Sequence, residues 1–351
     1  MYDYYKMLRI SGPQYISIFQ TKNINIILLG DEHFSNAETC NECENDSKCT
    51  TILDVLKRLK KSNPMDIFLE SPVVLKKYRS KLKKIIKTSN KKGWLSHVTK
   101  QYVNSLYGHE KKDSKGLRVH YGDIRLHPSL YPLQLLTSIL EEKTKDDVKI
   151  ALSIIDDFKG KTYFKRYFDA CIKRDNYPAE MEKLFGERSH LYWYEDELTS
   201  FNGKQVHRIR KQILKLPSQL QRRLLRYYED ESRDIMEDYY MFTYKDSRRE
   251  FIETDGDYDL EAGFIIREGI FKWYMLLMDI YMLARMLHYI QLGTQKNVVC
   301  FAGTYHAYNY NLFFTKYMSK NEYNHKWKFD GSYIKNEKRC VHVPENILFA
   351  S

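Results

Sequence analysis

No stretch of this sequence offers the roughly 18 consecutive apolar residues that a membrane-crossing helix needs. The best candidate, Trp273 to Ile290, is interrupted by Asp279, Arg285 and His288, so no membrane span is expected. The N-terminus, Met1-Tyr2-Asp3-Tyr4-Tyr5-Lys6, lacks the basic region and apolar core of a secretory signal, and a cytoplasmic location is expected. There is no P-loop, no Gly-x-Gly-x-x-Gly and no kinase signature, which leaves nucleotide chemistry without support. Helix-turn-helix and zinc-finger spacings are missing too, so a reader of specific nucleic-acid sequence is not expected. Cysteine is sparse, at 6 in 351 residues. Cys40, Cys43 and Cys49 share one polar loop, while Cys171, Cys300 and Cys340 sit in apparent core or strand contexts. The loop cluster is open to a local disulfide, a structural zinc completed from elsewhere, or free thiols.

What is present is ample for a folded chain: 43% hydrophobic residues, of which a large share is aromatic. The net charge is +11, from 57 Lys and Arg against 46 Asp and Glu. Much of the excess lies in Lys57 to Lys61 and Lys76 to Lys92, where Lys alternates with Val74, Leu75, Leu82, Ile85 and Ile86 in helical rhythm. Such a run reads as a solvated helix face rather than a nucleic-acid footprint.

Three zones follow along the chain. Up to about residue 128, apolar runs (Asn25 to Leu29, Asp66 to Leu69, Leu117 to Tyr121) alternate with helical patterns (Ile52 to Leu59, Val73 to Ile86), which predicts βαβ units. From 129 to 290 the periods are helical: Leu133, Leu136, Ile139 and Leu140, then Ile209, Ile213 and Leu216 before Pro217, then Tyr258 to Ile290. From Asn297 the pattern returns to strand and helix, with Leu312 to Tyr317 helical and a last strand at Arg339 to Val343. The expected fold class is α/β: a central, mostly parallel sheet flanked by helices, built from residues 1–128 and 291–351. A large helical layer or cap, 129–290, is inserted between those ends and packs on them as one domain.

Two copies of one pattern stand out. Ile26-Ile27-Leu28-Leu29-Gly30-Asp31-Glu32-His33 and Val298-Val299-Cys300-Phe301-Ala302-Gly303-Thr304-Tyr305-His306 each read as a buried strand, a glycine turn and a histidine. With 15 Gly and 11 His, chance supplies roughly half of one bare Gly-x-x-His; the shared strand and helix context is what gives the pair weight. The imidazoles are placed past the carboxyl ends of strands, where open α/β sheets bind ligands. Two further runs end in ionisable residues, one at Glu70 and the other at Asp123-Ile124-Arg125. These are the residue types that acid-base or metal-assisted chemistry needs. Each also has a structural reading. His33 can cap a helix, Glu70 before Ser71-Pro72 can stabilise a helix start, and Asp123 and Arg125 can form a salt bridge.

Gly30-Asp31-Glu32-His33, Glu70, Asp123-x-Arg125 and Gly303-Thr304-Tyr305-His306 together resemble the superfamily of Tiki and TraB proteins, erythromycin esterases and haem-binding ChaN proteins. Asp279-Ile280-Tyr281 and Arg285-Met286 are similar to uncharacterised members from large DNA viruses, which implies a setting in the host cytosol or the virion. The resemblance implies that His33, His306 and Glu70 form the essential polar set, with Asp31 standing where other members carry Glu. Two histidines and a carboxylate can hold Zn²⁺ or Mn²⁺ and generate hydroxide near neutral pH. Alternatively, one histidine oriented by Glu70 or Asp31 takes a proton from water directly, with Arg125 binding a substrate anion or an oxyanion. Both routes are hydrolytic, acting on an ester or peptide bond of a small-molecule or peptide substrate. The alternative is a ligand-binding or virion-associated structural protein without turnover.

Overall fold

The computed structural model describes residues 7–31, 49–72, 79–89, 93–107, 116–124, 207–243, 258–330 and 340–349. The chain divides into two compact units, Met1–Asp123 with Arg285–Ser351, and Ile124–Ala284.

The first unit is organised by a six-stranded sheet. Its strands are β2 (Tyr15–Gln20), β3 (Asn25–Asp31), β5 (Met65–Pro72), β6 (Leu117–Asp123), β7 (Asn297–Gly303) and β8 (Asn324–Asp330), in the order β6-β5-β7-β3-β2-β8. The neighbours β6, β5, β7 and β3 run parallel, whereas β2 and β8 pair antiparallel. The sheet is therefore mixed, where the sequence led us to expect a mostly parallel one. A tight hairpin is the cause: the Thr21 hydroxyl accepts from the backbone N–H groups of Asn23 and Ile24, and β2 folds back along β3. All residues of β3 and β7 are buried, as expected of central strands covered on both faces.

On one face of this sheet lies a core that includes Ile27, Leu29, Ile67, Leu69, Val299 and Phe301. It is covered by α1 (Ile52–Ser62), α3 (Trp94–Tyr107) and a small sheet. That small sheet runs β4 (Cys49–Thr51), β1 (Met7–Ser11), β9 (Cys340–Pro344). A short helix, α8 (Glu345–Leu348), follows β9. The lysine-rich run forms α2 (Arg79–Thr88), which has no fully buried residue, so its charges are solvated. On the opposite face sits α7 (Thr304–Lys316), with Phe314 packed on Phe19 of β2.

The second unit is helical among its described residues. α4 (His207–Ile213) ends before Pro217, whose carbonyl accepts from Gln221 N–H at the start of α5 (Ser218–Thr243). Leu220, Leu224, Tyr227 and Tyr228 are buried, and Tyr228 meets Trp273 of α6 (Tyr258–Leu292). Asp279 is fully buried on α6. The periodicity at Leu133, Leu136, Ile139 and Leu140 lies outside the described residues.

Candidate functional site

The strands that precede the two Gly-x-x-His motifs are direct neighbours. β3 and β7 pair in parallel from Asn25 opposite Asn297 to Asp31 opposite Gly303. Neither motif glycine makes the turn expected of it, since among the described residues only Gly12, Gly116 and Gly293 have positive φ. Gly30 lies within β3, where a Cβ would come 2.8 Å from Thr304 Cα and 3.1 Å from Ala307 Cβ. It is a contact glycine that lets α7 approach the sheet. Gly303 is the N-cap of α7, without a side-chain cap hydrogen bond.

Glu70 supplies that end with a carboxylate. Its Oε2 accepts from Gly303 N–H at 2.6 Å, and its Oε1 lies 3.7 Å from His306 Nε2. Both side chains are about 1% exposed. A carboxylate at a helix N-terminus meets the positive end of the dipole, so Glu70 anchors α7 and lies beside the imidazole at its third residue. Tyr310, one turn on, stacks against the His306 ring with centroids 6.2 Å apart.

Asp31 takes a different path. Successive strand residues face opposite sides, so Asp31 turns away from the face on which Gly30 meets α7. Its Oδ2 accepts from Leu95 N–H at 2.9 Å, at the first turn of α3. Asp123 ends β6 opposite Pro72. Its charge acts on Tyr107, whose hydroxyl donates to the Pro72 carbonyl at 2.6 Å and shares a hydrogen bond with Ser71 Oγ at 2.7 Å. Burial, reinforced by that carboxylate, pushes the Tyr107 phenol well above its ordinary range. His33 and Arg125 lie outside the described residues. The structure thus brings Glu70 and His306 together, and sends Asp31 to α3.

A second polar cluster on the sheet went unrecognised in the sequence. Asp66, fully buried, receives two hydrogen bonds from Arg118 at 2.7 Å each, and its Oδ1 is 2.9 Å from His120 Nε2. Arg285, near the end of α6, reaches His120 Nδ1 at 3.3 Å and donates to the Tyr121 carbonyl. Burial, helped by the Arg285 charge and opposed by Asp66, pushes His120 below its ordinary value. Burial alone would raise Asp66, but hydrogen bonds from His120 and Arg118 outweigh it and hold the carboxyl low. The available signal was a pair of polar residues two apart, Arg118 and His120, on one face of a short strand.

Cys49 and Cys340 are both disulfide-bonded, which removes Cys49 as a zinc thiolate, and Cys300 is buried and stands outside any disulfide. Cys40 and Cys43 lie outside the described residues. Among the described residues no group of three or more His, Cys, Asp or Glu side chains is placed to hold a metal ion, and no helix is long and apolar enough to cross a membrane. No family model, curated protein or solved structure matches the chain.

Proposed function

We propose that this chain is a hydrolase in which His306, oriented by Glu70, activates water for attack on an ester or peptide bond. The observation that carries the reading is the buried Glu70–His306 pair, with 3.7 Å between Oε1 and Nε2, at the carboxyl edge of the adjacent parallel strands β5 and β7. In the direct route His306 takes a proton from water as its oxygen attacks the carbonyl carbon, then returns it to the leaving group. Glu70, held by Gly303 N–H, keeps the ring in place and stabilises the imidazolium. Asp123 and Arg125 are assigned to the walls of the site, with Arg125 as the anion-binding group, while Asp31, which accepts from Leu95 N–H at the start of α3, belongs to the scaffold.

A divalent cation, Zn²⁺ or Mn²⁺, fits the donor pair. Two ligand atoms on one tetrahedral ion lie about 3.3 Å apart, near the Glu70–His306 separation. Glu70 and His306 would hold it with His33, which follows Asp31 by two residues, and the ion would lower the pKa of water. The scaffold of this reading is the mixed sheet of the first unit, acting in a host cytosol or virion as the viral resemblance implies.

The test is metal analysis of purified protein combined with an ester and peptide panel, using His306→Ala and Glu70→Gln. Turnover is expected to fall by about two orders of magnitude or more in His306→Ala; equal turnover in that variant overturns the proposal. One observation favours the non-catalytic alternative, namely that both side chains are almost fully buried and Glu70 is engaged by the helix start. In that case no panel member is turned over, and His306→Ala loses stability instead.

A further inference from the structure

The exposed flank of α7 and the edge strand β8 carry a feature that the hydrolase reading does not use. Lys328 Nζ lies 5.6 Å from the Tyr15 ring centroid and 5.3 Å from that of Tyr308. Tyr15 is fully buried, whereas Tyr308 is 45% and Tyr305 53% exposed. Lys328 is itself exposed and forms no hydrogen bond or ion pair among the described residues. His325 and Lys326, also exposed, lie on the same strand.

Lysine on an edge strand commonly serves only to block pairing with another chain, and such a lysine extends into water. Here the ammonium is instead gathered between two ring faces, an arrangement that fixes a cation beside exposed aromatic surface. Rings that accept stacking, next to a fixed positive charge, are the two elements of sequence-tolerant binding to single-stranded nucleic acid. Carbohydrate would use the rings but not the cation, and a purely acidic peptide would use the cation but not the rings. We infer that the surface formed by Tyr305, Tyr308 and Lys328 binds single-stranded nucleic acid, with bases stacked on the tyrosines and a phosphate on Lys328. Lys326, exposed on the same strand, extends the positive edge.

Fluorescence anisotropy with a labelled short oligo-dT, and with heparin as a polyanion that has no bases, tests this. Tyr308→Ala is expected to weaken oligo-dT binding about tenfold, to leave heparin binding unchanged, and to be rescued by Tyr308→Phe. Lys328→Gln is expected to reduce the slope of log K against log salt by about 0.7. Both positions are exposed, and circular dichroism checks that the fold is kept. Absence of oligo-dT binding, or full binding by Tyr308→Ala, overturns the inference. So does a loss confined to a variant with Lys81, Lys83, Lys84 and Lys87 of α2 changed to Gln, because the contact would then lie on that helix.

Discussion

Gly30 shows how one missing methyl group decides a contact. A Cβ there would sit 2.8 Å from Thr304 Cα, 3.0 Å from Tyr15 Cβ and 3.1 Å from Ala307 Cβ, and the first of these neighbours is backbone. The start of α7 would have to move off the sheet and carry His306 away from Glu70. Gly30→Ala is therefore expected to cost about 1 to 3 kcal/mol, read from urea midpoints; a midpoint equal to wild type would reject the contact. At Glu70 the separation of roles is chemical. A glutamine can still accept from Gly303 N–H, so Glu70→Gln should retain most of the stability while losing the charge beside His306. Glu70→Leu leaves a buried N–H without its acceptor and is expected to cost about 1 to 3 kcal/mol. If the two variants melt alike, the Gly303 hydrogen bond contributes little to the anchoring of α7.

The coupling between β5, β6 and the end of α6 rests on His120. Its folded-state pKa is depressed below 6.5, chiefly by burial, so as pH falls the unfolded chain takes up the proton first. The stability contributed by neutral His120 is complete above the unfolded value and is lost as pH drops from there through the folded value. Asp66, depressed below 3.8, adds a loss of the same sign at lower pH. Urea midpoints should thus decline below about pH 6.5, and His120→Gln should flatten that decline; an identical profile in the variant would assign it to other groups. Arg285→Ala removes a donor and a positive charge together, so the His120 pKa measured by NMR should rise, with a loss of about 1.5 to 3 kcal/mol. The elements differ in how openly the sequence declares them. β3, β5 and β7 are legible because strands buried on both faces become continuous apolar runs. β8, Asn-His-Lys-Trp-Lys-Phe-Asp, is an edge strand with a wet face and looks like a loop, and β2 follows Pro13 so closely that its alternation is easily passed over. Glu70 and His306 were legible as strand and motif ends. Asp66 and His120 were not, since only the register that sets Asp66 beside Arg118 and Phe68 beside His120 brings them together.

At the scale of the whole molecule, covalent chemistry sets the conditions under which the fold persists. Cys49 lies opposite Arg9 on one side of β1 and Cys340 opposite Ser11 on the other, with β1 between them. Two strand spacings amount to about 9.5 Å, beyond the roughly 7 Å that a disulfide can span between Cα atoms. The two cysteines therefore belong to two different bonds. Two bonds engage four of the 6 cysteines in the chain, and Cys300 stands outside them. Alkylation in denaturant followed by mass spectrometry should consequently label two cysteines without reductant and all six after reduction. Labelling of all six without reductant would reject the bonds. Reduction should lower stability by about 2 to 4 kcal/mol per bond, since each restricts the unfolded chain. Disulfides of this kind persist in oxidising surroundings. Expression in a reducing cytosol should then yield protein that melts at lower temperature than the same chain folded under oxidising conditions, and reoxidation should restore the difference. Equal melting temperatures in the two preparations, with the two bonds present in only one of them, would show that the small sheet is held by packing alone.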